Sequence, residues 1–141
     1  MPTIDEIQAE IVEDFSFLPE WDERYAYLIE LGQKMAPLPE EHRKEDNIVR
    51  GCQSTVWLHR TCNDGAVILQ ADSDSLIVKG LAALLMKVYS GQPADVILKA
   101  DLTFFEETGL NKHLSSQRAN GLMAMIDEIK AFAVKCAAGE A

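Results

Sequence analysis

Thr55-Val56-Trp57-Leu58-His59-Arg60 and Ala66-Val67-Ile68-Leu69-Gln70-Ala71 stand on either side of Asn63-Asp64-Gly65. Both runs are rich in β-branched, aromatic and aliphatic residues, and Asn-Asp-Gly supplies side chains that tolerate the positive φ of a tight turn. The stretch therefore predicts an antiparallel hairpin. Asp72-Ser73-Asp74 turns the chain again, and Ser75–Val78 reads as a third strand. The expected sheet is a three-stranded antiparallel meander.

On both sides of this sheet the hydrophobic period changes to that of a helix. Upstream, Ile4, Ile7, Ile11, Val12 and Phe15 share one helical face, and Thr3 with Glu6 forms the pattern of a capping box. After Pro19, Trp21, Tyr25, Leu28, Ile29 and Met35 repeat at helical spacing, with Glu30 and Lys34 placed for an exposed ion pair. Residues 36–50 form a polar connection expected at the surface. Downstream, Leu81, Leu84, Leu85, Val88 and Tyr89 mark a helix that Gly91 and Pro93 stop, and shorter helical pieces are expected over 94–99 and 102–108. Ser115 or Ser116 caps a last helix whose stripe runs Leu122, Met125, Ile126, Ile129, Phe132, Ala133 and Cys136. The fold class is α+β, a three-stranded antiparallel sheet packed against flanking N- and C-terminal helices. No repeat or linker interrupts the chain, so residues 1–141 read as a single domain.

At 141 residues, 48% of them hydrophobic and 26% charged, the chain has the composition of a globular protein and is too apolar for disorder. Its net charge of -10 repels phosphate backbones, which argues against nucleic acid as a partner. The apolar runs at Ala66–Leu69 and Gly80–Met86 are far shorter than the ~20 residues of a spanning helix, so no membrane partner is expected. The acidic start, Met1-Pro2-Thr3-Ile4-Asp5-Glu6, lacks the features of a signal peptide. A cytoplasmic location is the expectation.

Three cysteines, Cys52, Cys62 and Cys136, are too few for a disulfide scaffold in a chain with an ample core. There is no CxxC, HExxH, GxSxG, P-loop or GxGxxG motif, so the chemistry rests on single thiols. Cys136, on the apolar stripe, reads as a small buried hydrophobe, and Cys62, beside the hairpin turn, as structural. Cys52 lies in Arg50-Gly51-Cys52-Gln53-Ser54, where the polar connection enters the first strand. Gly51 clears space beside the thiol, and Arg50 could favour its thiolate. The position suits either a reactive cysteine at an exposed loop tip or one packed ahead of a strand. A Cys52–His113 nucleophile pair and a metal site using Cys52 and Cys62 are further arrangements, though the spacing is no recognised metal pattern. Arg118 stands near the positive end of the last helix, where a cation is disfavoured, and so points to an anionic partner or a functional site.

The stretch Asn47-x-Val49-Arg50-Gly51-Cys52-Gln53-Ser54-x-Val56-Trp57 closely resembles the signature of the SufE family. The resemblance continues through Asp74, Ile77-Val78-Lys79-Gly80 and Gly109-Leu110-x-x-His113-Leu114-Ser115-x-x-Arg118-x-x-Gly121-Leu122, and so covers essentially the whole chain. It implies that Cys52 accepts sulfur from a pyridoxal-phosphate cysteine desulfurase of the SufS or CsdA type and stimulates that enzyme. The sulfur would pass to an iron–sulfur scaffold or another acceptor. The chain would be an accessory protein, not an enzyme, and would bind neither pyridoxal phosphate nor a metal. Arg50, Gly51, Gln53, Ser54, His113 and Arg118 would support the thiol or its loop. Cys62 and Cys136 lie outside the pattern, and a second role for Cys62 in carrying sulfur stays open, as does a homodimer. Because a thiolate must be reachable for exchange yet sheltered from oxidation, a loop with inward and outward states is expected.

Overall fold

A computed structural model describes all 141 residues. Helix α1 (Ile4–Ser16) begins as expected: the Glu6 amide donates to Thr3 Oγ1 at 3.1 Å and the Thr3 amide to Glu6 Oε1 at 3.0 Å, and Ile4, Ile7, Ile11 and Phe15 are buried. Helix α2 (Trp21–Lys34) carries the Glu30–Lys34 ion pair at 2.7 Å on its exposed face. The connection beyond it contains two short 3-10 turns, Glu40–His42 and Glu45–Asn47. It leads into β1 (Val56–Asn63) and β2 (Ala66–Ser73), which pair antiparallel from Val56↔Ser73 to Asn63↔Ala66. Asp64 and Gly65 make the turn with φ of 51° and 82°, the positive values that Asp and Gly accept at low cost.

The sheet has two strands, not three. Ser75–Val78, expected as the third, is instead the start of helix α3 (Leu76–Tyr89). The cause is local. Ser75 Oγ accepts from the Val78 amide at 3.4 Å, an N-cap bond that starts the helix, and Val78 joins the same buried stripe as Leu81, Leu84, Leu85 and Val88. Branched residues here suggest a strand, but the cap and the stripe outweigh that preference. The outer edges that a third strand would have covered are met by short segments instead. Ile48 bridges Trp57 on the free side of β1, and the Val49 amide donates to the Val56 carbonyl at 2.9 Å. On the free side of β2, Pro93 bridges Ala66, the Gly91 and Val67 amides donate to the Val67 and Gln92 carbonyls respectively, and Ser90 Oγ accepts from the Leu69 amide.

Period 2 sends Val56, Leu58, Arg60 and Cys62 of β1 to one face, with Val67, Leu69, Ala71 and Ser73 of β2 beside them. Helix α3 packs on β2 and α7 (Ser116–Ala137) against both strands, while α1 and α2 lie outside α3. Gly80 explains how close α2 comes: a Cβ there would sit 2.6 Å from the Leu28 carbonyl carbon, and one on Gly32 would sit 2.9 Å from the Gly80 nitrogen. Short helices α4 (Ala94–Lys99), α5 (Phe104–Glu107) and α6 (Leu110–His113) complete the chain between α3 and α7. The piece expected over 102–108 is the shorter α5, and α6 has no counterpart among the expected elements. The polar connection does more than lie at the surface. Its Leu38, Asn47 and Val49 are buried, and it covers the outer sheet face, where Arg43 sits 5.2 Å from the Trp57 ring centroid and His42 stacks on His59 at 3.5 Å.

Candidate functional site

The backbone bond from Val49 to Val56 closes residues 50–55 into a tight loop at the mouth of β1. Its far end is held three times: the Thr55 amide donates to Asp74 Oδ1 at 3.1 Å, and the Thr55 carbonyl accepts from Ser73 Oγ at 2.9 Å and the Asp74 amide at 3.3 Å. Gly51, at φ 93°, turns the chain inside the loop, which is why a residue with a side chain would be strained there. Cys52 follows, half-buried, with its Sγ 3.7 Å from the Gly121 carbonyl of α7. Gly121 makes this approach available, since a Cβ on it would come within 3.3 Å of the sulfur.

The thiol opens into a cleft of about 400 Å3 lined by Cys52, Gln53, Ser54, Ser75, Val78, Ser115, Gln117, Arg118 and Gly121. The loop, the start of α3 and the start of α7 thus meet around one sulfur. Burial pushes the Cys52 thiol above its ordinary pKa, so the resting group is held as the protonated, sheltered form.

Of the residues expected to support Cys52, the structure brings Gln53, Ser54 and Arg118 into the cleft and sets Gly51 against Ala124 of α7. Arg118 is exposed and forms no ion pair; its backbone amide donates to Ser115 Oγ at 3.3 Å, completing the N-cap of α7. Two of the expected residues stand outside the cleft. Arg50 is paired with Glu45 at 3.3 Å and exposed, and burial is what sets the Cys52 shift. His113 does not line the cleft: it stacks on Trp21 at 3.7 Å, and its carbonyl accepts from the Tyr25 hydroxyl, so it fastens α6 to α2. A Cys52–His113 pair is therefore not formed. Nor is Cys52 at an exposed tip, as the neighbouring Gly51 suggests, because α7 covers it.

Ser75, Val78, Ser115, Gln117 and Gly121 complete the walls, and none of them stands out as a site residue in the sequence. Gly121 does carry a readable signal, since a glycine inside an otherwise helical stripe weakens the helix unless something approaches closely. Cys136 is buried and Cys62 structural, as expected, but the two are not separate thiols. Cys62 and Cys136 form a disulfide across 74 residues, leaving Cys52 as the free thiol. The inward face of β1 carries Cys62 to the stripe of α7 that ends in Cys136, a meeting that spacing alone does not reveal. No group of three or more His, Cys, Asp or Glu side chains is placed to hold a metal ion, and no helix is long and apolar enough to cross a membrane.

A family profile described as "SufE: Fe-S metabolism associated domain" matches residues 9–133. An uncharacterized SufE-like protein of Rhizobium meliloti (strain 1021) is 46% identical, across 88% of this chain and 92% of its own length. An uncharacterized SufE-like protein of Rhizobium etli is 44% identical, across 86% of this chain and 85% of its own. Among solved structures, the solution structure of a hypothetical protein from Thermus thermophilus superposes with a TM-score of 0.75 at 26% identity, covering 92% of this chain and 95% of that one.

Proposed function

The chain belongs to the SufE family, whose domain is associated with iron–sulfur metabolism, and from that premise we propose that Cys52 is a sulfur acceptor. In this reading a pyridoxal-phosphate cysteine desulfurase presents a cysteine persulfide, and the Cys52 thiolate attacks its terminal sulfur. The new Cys52 Sγ–S bond forms as the partner's S–S bond breaks, and the partner's cysteine leaves as a thiolate with the bonding electron pair. Cys52 then carries the sulfur to an iron–sulfur scaffold or a further acceptor. Removing the persulfide from the desulfurase frees that enzyme for another turnover, which is how an accessory protein stimulates it.

The observation that carries the reading is the free Cys52 thiol at the base of a cleft walled by Gln53, Ser54, Gln117 and Arg118. The resting state is the inward one. Because the loop is held at Val49–Val56 and at Thr55 but hydrogen-bonds α7 only through the weak thiol contact to Gly121, its tip can swing out on a fixed base. Outward movement removes the burial that raises the thiol's pKa, so exposure also increases its thiolate fraction. The Arg118 guanidinium, unpaired at the cleft wall, stands where an incoming anionic sulfur would meet it.

The test is intact mass after incubation with a cysteine desulfurase and cysteine. The wild-type chain should gain one sulfur, and Cys52→Ser should fold yet gain none and fail to stimulate the enzyme, because a hydroxyl is a far weaker nucleophile. A Cys52→Ser protein that still gained sulfur and stimulated turnover would refute the role.

A further inference from the structure

Helix α7 is joined to the Cys52 loop and β1 along one seam. Gly121 meets Cys52 at 3.7 Å, Glu128 meets Arg60 at 2.5 Å, and Cys136 is bonded to Cys62. On the helix these positions recur about every two turns, and along the chain from Cys52 to Cys62 they appear in the same order, so helix and strand run side by side. One end of the seam is covalent and the other is the sheltering contact over the free thiol. We propose that Cys62–Cys136 is a thiol–disulfide exchange site, and that opening it loosens the seam and releases Cys52 from beneath α7.

Burial decides the direction of the exchange. Cys136 is 4% exposed, whereas Cys62 is half-buried. A thiolate from a dithiol reductant therefore attacks Cys62 Sγ, forms a mixed disulfide there, and expels Cys136 as a thiolate, which takes up a proton. The reductant's second thiolate then displaces Cys62, which is protonated in turn. The disulfide gains two electrons and two protons, and the dithiol becomes a cyclic disulfide. With the covalent end open, α7 is held to β1 by the Arg60–Glu128 pair and by packing. Its first turns are then freer to move off Gly51 and Cys52. The consequence for sulfur acceptance rests on the role proposed for Cys52; the exchange itself does not.

The experiment uses iodoacetamide and peptide mass analysis, with the alkylation done in the absence of a desulfurase and sulfur uptake from one measured separately. Protein denatured without reductant should show one alkylated thiol, Cys52; three would overturn the proposal at once. Native protein is then compared with protein reduced by a dithiol and freed of it anaerobically, following the Cys52 peptide alone. Alkylation should be about two- to fivefold faster in the reduced form, the ratio expected when a weak thiol–carbonyl contact is given up. Cys62→Ser with Cys136→Ser should reproduce the faster rate, and the reduced wild type decides the matter if that variant does not fold. Equal Cys52 rates in the two forms overturn the coupling. A rate that rises in protein that takes no sulfur from a desulfurase refutes the acceptor role and leaves the exchange site standing.

Discussion

Gly121→Ala tests whether the resting thiol leans on α7. The position is helical, so the alanine should strengthen the helix by about 0.5–1 kcal/mol. Against that gain stands the new Cβ, which would lie 3.3 Å from Cys52 Sγ, inside the ordinary contact distance of about 3.5–4.0 Å. The neighbour that can yield is the loop tip, fastened at its base and free of hydrogen bonds to α7 other than the weak 3.7 Å thiol contact. Giving up that contact costs no more than about 1 kcal/mol. The two effects nearly cancel, so the melting temperature should move by no more than about 3 °C. What should change is Cys52. Its alkylation should quicken, and the pH midpoint of alkylation should fall towards that of an ordinary thiol, because burial is what raises it. Calorimetry and a pH series of iodoacetamide rates measure both. A variant with an unchanged midpoint and unchanged rate would refute the claim that Gly121 shelters the sulfur.

Three further outcomes are expected. Asp72 is buried; burial by itself would raise its carboxyl, but the Ser73 amide, Arg43 and Lys79 outweigh that and hold it below the ordinary carboxylate value. A depressed folded pKa contributes stability that is present above the unfolded value and lost as pH falls through the folded one. Asp72→Asn should therefore lose about 1–3 kcal/mol at neutral pH and show a flatter loss of stability below about pH 4, measured by urea unfolding across pH. Gly80→Ala should be destabilised by about 1–3 kcal/mol despite its better helix propensity, because α2 and α3 must part to admit the methyl group; a more stable variant in the same assay would contradict the close crossing. Arg118→Ala should keep the circular dichroism spectrum and accept sulfur more slowly, whereas wild-type transfer would reduce Arg118 to a surface charge.

How much of this is legible in the chain depends on where the determining interactions lie. Helix α1 can be read because its stripe and its capping box are local, and so can the hairpin, whose turn residues sit between two apolar runs. Leu76–Val78 cannot, because branched residues suit strand and helix alike until Ser75 is seen to bond the Val78 amide. The same divide runs through the site. Cys52, Gln53 and Ser54 are neighbours in sequence, and Arg118 stands out by its charge at the wrong end of a helix. His113 lies within the same matching pattern, yet Trp21 and Tyr25, far away in the chain, claim it. The Cys62–Cys136 bond follows from strand register meeting helix phase, a relation between two periods that neither segment contains alone.

The segments that flank the hairpin have a bearing on how this protein behaves when many copies are crowded together. A two-stranded sheet has nothing but edges, and bare amides and carbonyls along an edge invite a neighbouring molecule to add a strand. Here Ile48–Val49 occupies one border and Ser90–Pro93 the other, and both are irregular stretches too short to be templates themselves. Pro93 also lacks the amide a further strand would need. Part of each border is thus occupied without a third strand, which leaves a neighbouring molecule less free backbone on which to extend the hairpin.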